Sequence, residues 1–462
     1  MSFRDVIDRS PMTKFQIMVV GLCLFMNVIE GFDILVMSFA ASGVATEWHL
    51  SASQIGVLLS SGLIGMALGS AFVAPLGDRL GRRPLTLLAL SVAGIGMLLS
   101  GLTAGFGQLA VCRLVTGVGV GGVMASLPVI ISEYSNRRGR GTSTAFFALG
   151  LPLGGVLGGS VAALVTSGYG WRATFALGAV LTLATGAAMA FLLPESLDYL
   201  AVRRPTDALA KINRLLARMR IPALEELPRP KEAELAGAGA AILTGRGSLR
   251  TLLLWVAFFG LFSALYFATS WTPRLLEQNG VSAQQGISGG ILLNVGGVVG
   301  TLIVAGLALR LSSMTLGVLT LAAAGVAFVV MSSSLGSLTA TMLVALLVGL
   351  LLNANGAVLY ALAPTLYPVG VRTTGVGWAI AVGRIGGILA PLIAGVLVDG
   401  GWTAVNLFAV FAVPLLLAAV AVLVIARLGS GAAAATSHPP KSTVAQNGQP
   451  APAAGARQSR GE

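Results

Sequence analysis

LFMNVIEGFDILVMSFA, residues 24–40, sets two carboxylic acids, Glu30 and Asp33, inside an otherwise apolar run. The run reaches from about Ile17 to Ala41, long enough to cross a bilayer at roughly 20 residues per span. Read as a membrane helix, it places both acids in a solvent that opposes charge, so their presence asks for a reason.

The rest of the chain has the same solvent. Of its 462 residues 55% are hydrophobic and only 10% charged, against roughly 25% charged in a soluble domain, and the mean hydropathy is +0.88. Further runs of spanning length start near Ser53, Pro84, Leu109, Ser143, Ala173, Leu249, Ile287, Met314, Leu338, Gly375 and Ala404, about twelve in all. Transmembrane strands leave a weaker, alternating signal, so the expected class is an all-α membrane protein. The first run is too long for the core of a signal peptide and lacks an Ala-x-Ala-like site, so no cleavable signal is expected.

The net charge of +12 could suggest a nucleic-acid partner, but its placement argues otherwise. With the N-terminus in the cytoplasm, Arg4, Arg9 and Lys14, then Arg79, Arg82 and Arg83, then Arg137, Arg138 and Arg140, and the basic residues from Arg203 to Arg250 all fall on that side. The other loops hold little beyond Arg172 and Arg274. This asymmetry predicts an inner-membrane protein with both termini cytoplasmic, and no nucleic-acid partner. Cys23 and Cys112 lie in predicted spans and read as small buried hydrophobes.

The expected organisation is an arm (1–16), a six-helix bundle (17–193), a central loop (194–249), a second six-helix bundle (250–428) and a disordered tail (429–462). In the loop, Asp207 to Met219 has helical spacing with basic residues on one side, predicting a surface helix at the cytoplasmic membrane face; an ordinary linker is the alternative. The halves echo each other, since EYSNRRGRGTSTAFFALGLPLGGVLGG from Glu133 is similar to LYPVGVRTTGVGWAIAVGRIGGILAPLIAG from Leu366. Internal repeats of this kind put a site at the midplane between two rocking bundles.

Glu30 and Asp33 are three residues apart and share a helix face. A carboxylate at bilayer depth costs on the order of 2.5–3.5 kcal/mol, so it is expected to face a wet interior. Desolvation penalises the charged form, so such an acid can take up and release a proton as its exposure changes. A fixed pairing with an Arg of a neighbouring span is the plainer alternative. Gly31 between the acids permits close approach of another helix.

Arg113 opens RLVTGVGVGG and Arg384 sits in VGRIGG, each a counter-charge for an acid or an anionic substrate, which Arg can grip bidentately; snorkelling to the interface is the alternative. In APLGDRLGRRP, residues 74–84, Asp78 with Arg79, Arg82 and Arg83 reads as a gate brace in a turn between spans. Trp255, Phe258, Phe262, Tyr266 and Trp271, with Asn294, Asn353, Asn355 and Tyr360, are candidates for the walls of a cavity, Trp271 also suiting an interfacial belt.

GDRLGRR between the second and third spans, Arg113 with its glycines, LPES at residues 193–196 and the two six-span halves resemble the major facilitator superfamily. Within it, EGFD in the first span, SEY at Ser132, SWTPRLLEQNG after the seventh and YPVGVRTTGVGWAIAVGRIGG are similar to the aromatic acid:proton symporters. That family usually shows Asp-Gly-x-Asp in the first span; Glu30 here is closer to the hydroxyphenylpropionate-type carriers. Ala74 stands where the loop motif normally begins with Gly.

The resemblance implies a secondary transporter importing a small aromatic carboxylate, of the hydroxyphenylpropionate, hydroxybenzoate or benzoate type, together with protons, as a functional monomer without a cofactor. Its important positions fall on Glu30, Asp33, Asp78, Arg82, Glu133, Arg372 and Arg384, with Glu133 and Arg372 placed among the gating residues. A drug or metabolite exporter is the alternative, disfavoured because Leu151 parts Gly150 from Pro152; a substrate-sensing receptor is another. An enzyme is not expected, since only His49 and His438 are available for a metal cluster and no nucleophile motif or phosphate loop occurs.

Overall fold

The structure is a computed structural model and describes residues 3–227, 248–308, 310–367 and 371–436. A short helix, α1 (Phe3–Arg9), precedes the long α2 (Lys14–Trp48), whose first turn is closed by a reciprocal cap between Thr13 and Gln16. Helix α3 (Ala52–Leu68) starts on a second such cap, Ser51 with Gln54, and runs through a π-helical turn (Gly69–Val73) and a tight turn (Ala74–Leu76) into α4 (Gly77–Leu80). Then follow α5 (Arg82–Gly101), α6 (Phe106–Tyr134) and α7 (Arg140–Leu192). Two short helices, α8 (Leu197–Arg203) and α9 (Ala208–Arg218), lead towards the second half. That half comprises α10 (Ser248–Gln278), α11 (Ala283–Leu307), α12 (Ser313–Ser334), α13 (Leu338–Leu362), α14 (Arg372–Asp399) and α15 (Ala404–Thr436).

Eleven of these helices are long and apolar enough to span a membrane. One counts twice. Helix α7 has 53 residues, about 80 Å at 1.5 Å per residue, and it breaks at Gly170, where φ is 77°. Its limbs, 140–169 and 171–192, complete six spans in each half, so the chain is an all-helical integral membrane protein of twelve spans.

In the first half α2 packs on α7, α3 on α6, and α5 on α6 and α7; in the second α10 packs on α14 and α15, α11 on α13, and α12 on α13 and α15. Three pairs join the halves: α3 with α14, α7 with α11, and α2 with α10. Glycines set the closest of the helix–helix crossings within each half. A Cβ on Gly117 would run into the Gly62 carbonyl, and one on Gly65 into the Leu114 carbonyl and Gly117 itself. Helices that associate in lipid gain little from the hydrophobic effect, so such close backbone approach is what holds α3 to α6.

Hydrogen bonds between the halves gather away from the terminal face. Both oxygens of Asp399, at the end of α14, accept from the Ala52 and Ser53 amides at the start of α3, each at 2.8 Å. Deeper in, the Ser38 hydroxyl donates to the Ser270 carbonyl at 2.8 Å and the Ser60 hydroxyl to the Ile388 carbonyl at 2.8 Å. Arg274 donates to the Ala41 carbonyl at 3.3 Å.

Two sequence expectations meet a different outcome. Helix α9 is amphipathic, but its apolar side is covered by protein: Ile212, Leu216 and Met219 are buried in one cluster with Ile7, Phe15 and Tyr134. Arg218 lies over the Phe15 ring at 3.9 Å from its centroid. The pattern that suits a bilayer surface suits a protein groove equally. Of the tail expected at 429–462, helix α15 covers the first part, to Thr436; residues 437–462, like residues 228–247 of the central loop, lie outside the described residues.

The α3–α6 crossing yields a test. Gly117→Val forces a side chain against the Gly62 carbonyl and should cost on the order of 1–3 kcal/mol, lowering the unfolding temperature of the detergent-extracted protein and its yield, whereas Gly107→Val, beside open space, should leave both near the parent's.

Candidate functional site

Glu30 and Asp33 lie in the middle of α2, at 0% and 1% exposure. Their burial follows from the α2–α7 crossing. A Cβ on Gly31 would overlap the Leu151 carbonyl, and one on Gly154 the Val28 carbonyl, so the first limb of α7 lies directly against the acid-bearing turn. Asp33 Oδ2 accepts a hydrogen bond from Thr182 Oγ1 at 2.9 Å, on the second limb. Asp33 Oδ1 and both oxygens of Glu30 have no hydrogen-bond partner among the described residues.

Arg113, buried in α6, comes next to this pair without forming an ion pair with it. One of its terminal nitrogens donates to the Asp33 backbone carbonyl at 3.0 Å, the other approaches Met97 Sδ at 3.7 Å, and the guanidinium lies 5.8 Å from the Phe175 ring centroid. The ion pairs among the described residues are Arg4–Asp198, Arg82–Asp78, Arg140–Asp8 and Arg172–Glu47, none of which involves the acids of α2. A fixed ionic partner for Glu30 or Asp33 is therefore not what the fold supplies.

Asp33, Arg113 and Thr116 border a narrow cleft whose far wall is Leu63 and Met66 of α3. The same two side chains wall a second cleft, bordered by Tyr266 of α10 and by Arg384 and Gly387 of α14. Each cleft has room for about one water molecule. The two arginines thus stand on opposite sides of an apolar partition, one from each half. Arg384 is held there by Ser70 Oγ, which accepts from its guanidinium at 2.9 Å.

The remaining candidates divide by direction. Asn294, buried in α11, faces Gly155 of α7, and Asn353 of α13 sits by Gly297, so both amides border the joint between the halves. Tyr360 is 46% exposed and meets Phe258 edge-on at 5.7 Å. Asn355 is turned away: its Oδ1 accepts from Thr320 Oγ1 of α12 at 2.6 Å, inside the second bundle. Trp271, which suits an interfacial belt in the sequence, is instead fully buried and donates from its indole to the Pro391 carbonyl at 3.2 Å.

The residues read as gating lie at the ends of their helices, and four of them, Asp78, Arg82, Arg83 and Glu133, bond within the first half. Asp78 pairs with Arg82 one turn on, and its carbonyl accepts from Arg203 at 2.8 Å; Arg79 stays exposed. Arg83 donates to the Ala190 carbonyl. Glu133 accepts from the Ser196 hydroxyl and the Leu197 amide, each at 2.8 Å, and so fastens α8 to α6. Glu195, in the LPES stretch, accepts from the Arg82 and Arg83 amides at 2.8 and 3.1 Å, capping α5 where Gly81 turns the chain at a φ of 106°. Arg372 is exposed at the start of α14.

Thr182, Ser70, Glu195 and Asp399 join the site only through the fold. Only Asp399 carried a usable signal: an acid in the last turn of a helix opposes the helix dipole, which hints that it serves another element.

Comparison with known proteins agrees with this architecture. Residues 23–355 match the Major Facilitator Superfamily. The chain is 31% identical to a 4-hydroxybenzoate transporter of Pseudomonas putida, over 91% of its own length and 95% of the relative's. It is 28% identical to a 3-(3-hydroxy-phenyl)propionate transporter of Escherichia coli, over 88% and 93%. Among solved structures, an inward open, partially occluded form of the xylose transporter of E. coli superposes with a TM-score of 0.70 at 15% identity, covering 88% of this chain and 97% of that one.

The Asp33–Thr182 contact can be isolated. Thr182→Val keeps the shape but leaves a buried acceptor unmet, which should cost about 1–3 kcal/mol. A fall in the unfolding temperature that disappears in an Asp33→Ala background would show the loss is that bond; an equal fall in both backgrounds would assign it to packing.

Proposed function

Because the chain belongs to the Major Facilitator Superfamily, and within it to the aromatic acid symporters, we propose that it is a transporter, not an enzyme, importing a small aromatic carboxylate together with protons. The observation that carries this reading is the pair of buried acids without ionic partners, with Arg113 beside Asp33 in the first half and Arg384 of the second half across the Leu63–Met66 partition.

An ionised carboxylate with no counter-charge and no donors is costly inside protein, whereas the neutral acid is tolerable once a donor or acceptor is met. Glu30 and Asp33 therefore act together as the proton carrier: the pair holds one proton per cycle while shut away from water and gives it up when the halves part. The cargo is an anion, and its entry opposes the inside-negative potential by about 2.3 kcal/mol per charge per 100 mV. One proton carried with it cancels that work, so a one-to-one cycle responds to the pH gradient and not to voltage.

Arg384 grips the substrate carboxylate, since among the described residues its guanidinium hydrogen-bonds to the neutral Ser70 alone, while Arg113 is committed to the Asp33 backbone and stays with the acids. Leu63 and Met66 between them offer apolar contact to the ring. Tyr266 and, at the joint, Asn294 and Asn353 supply polar edges; Asn355, spent on Thr320, drops out. The basic terminal face supports placing it in the cytoplasm, as positive charge is retained there. The bonds of Asp399 at the other face, and of Ser38 deeper in, support reading the form described as one in which the halves are joined on the outer side.

Vesicles given radiolabelled benzoate, 4-hydroxybenzoate and 3-(3-hydroxyphenyl)propionate should accumulate at least one of them under an inward pH gradient and show no substrate-dependent current. Glu30→Gln should abolish the accumulation with normal amounts of carrier in the membrane. Undiminished accumulation by that variant removes Glu30 from the scheme, and a strong current rejects one-to-one coupling.

A further inference from the structure

Directly after α3 the same span passes through the π-helical turn Gly69–Val73, and Ser70 is its second residue. Such turns cost regular hydrogen bonding and recur where a helix has to re-aim a side chain. Here the re-aimed group does something specific. Ser70 Oγ accepts from the Arg384 guanidinium at 2.9 Å and donates to the Gly121 carbonyl of α6 at 3.2 Å. A serine hydroxyl has one proton to give, so the direction is fixed: Arg384 N–H to Ser70 Oγ, Ser70 O–H to Gly121 carbonyl. The chain of bonds starts in the second half, crosses to the π-helical turn after α3 and ends on α6, two turns along from Arg113.

We propose that Ser70 is the positioning residue of the substrate grip, holding Arg384 of the opposite half aimed at the partition of Leu63 and Met66. This rests on the reading of Arg384 as the group that binds the carboxylate. The geometry suits a buttress rather than a competitor. Arg presents five donors in a planar fork, Ser70 takes one of them, and an edge of two parallel donors is left for a carboxylate. Without the serine oxygen the long Arg384 side chain has to be ordered by the substrate, which loses affinity. Gly69 and Gly121 make the bond reachable, because Cβ atoms there would strike the Val118 and Met66 carbonyls and push α3 off α6.

The test uses the full-length carrier in vesicles, with whichever of benzoate, 4-hydroxybenzoate and 3-(3-hydroxyphenyl)propionate the parent accumulates, and rates expressed per carrier. Ser70→Ala should raise KM about tenfold with kcat within about twofold of the parent's, and Ser70→Thr, which keeps the hydroxyl, should recover most of the affinity. In an Arg384→Lys background, itself raised in KM, Ser70→Ala should add nothing. If Ser70→Ala does not reach the membrane, Ser70→Cys takes its place with the same expected rise. An unchanged KM in Ser70→Ala, or an undiminished effect in the Arg384→Lys background, overturns the positioning role. Normal KM in Arg384→Lys alone would instead reject Arg384 as the carboxylate grip.

Discussion

A carboxyl group can sit at the centre of a lipid-embedded bundle at low cost only where protein or enclosed water keeps it from lipid, and that requirement shapes the first half of this molecule. The acids are on α2, and α2 is covered by both limbs of α7 and by α6. Cover that tight needs small residues where the helices cross, which is why Gly31 lies between the two acids and Gly154 opposite them. The same need places Thr182 where its hydroxyl reaches Asp33 and Arg113 where its charge reaches the Asp33 carbonyl. Carboxylate chemistry and helix packing are thus one constraint: loosening the glycine contacts would admit lipid or water to the acids.

The joint between the halves is built on a different principle. Asp399 satisfies two of the amides that every helix start leaves open, doing so for a helix of the other half, while Ser51 satisfies a third within α3. When the halves part, water can replace Asp399 at these amides and can solvate the released carboxylate. An interaction whose partners are both well hydrated once separated contributes little net free energy, so it can close a face without making it permanent. The acids of α2 have no such exchange available while enclosed, so the energetic weight of the cycle falls on them and not on the outer contacts.

The spans, the membrane acids and the intramembrane arginines were legible in the sequence because each is a violation or a fulfilment of the rule that lipid excludes charge. What was not legible is direction. Asn353 and Asn355 looked equivalent as buried amides, yet residues two apart do not share a helix face, and only Asn353 borders the joint while Asn355 turns to Thr320. The amphipathic pattern of α9 states that one side is apolar without stating whether lipid or Ile7 and Phe15 will cover it. Trp271 has an apolar body with one donor, which a membrane surface or the Pro391 carbonyl satisfies alike.

The gating residues make the same point about motifs. In Ala74–Pro84 the acid and the arginines suggested a brace across the face, but Asp78, Arg82 and Arg83 bind α4, α5 and α7 together, and Glu133 and Glu195 fasten α8 and the start of α5. A half that moves as a body has to be stiff where it is not held by its neighbour. With contacts between the halves gathered at the other face, the described residues of the terminal face of the first half are bonded within that half, and the carboxylates of Glu133 and Glu195, accepting from amides at the starts of α8 and α5, make a mesh that gives it that stiffness. Such a mesh leaves the motion to the joint, where the bonds are few and exchangeable, and keeps it out of the helices that enclose Glu30 and Asp33.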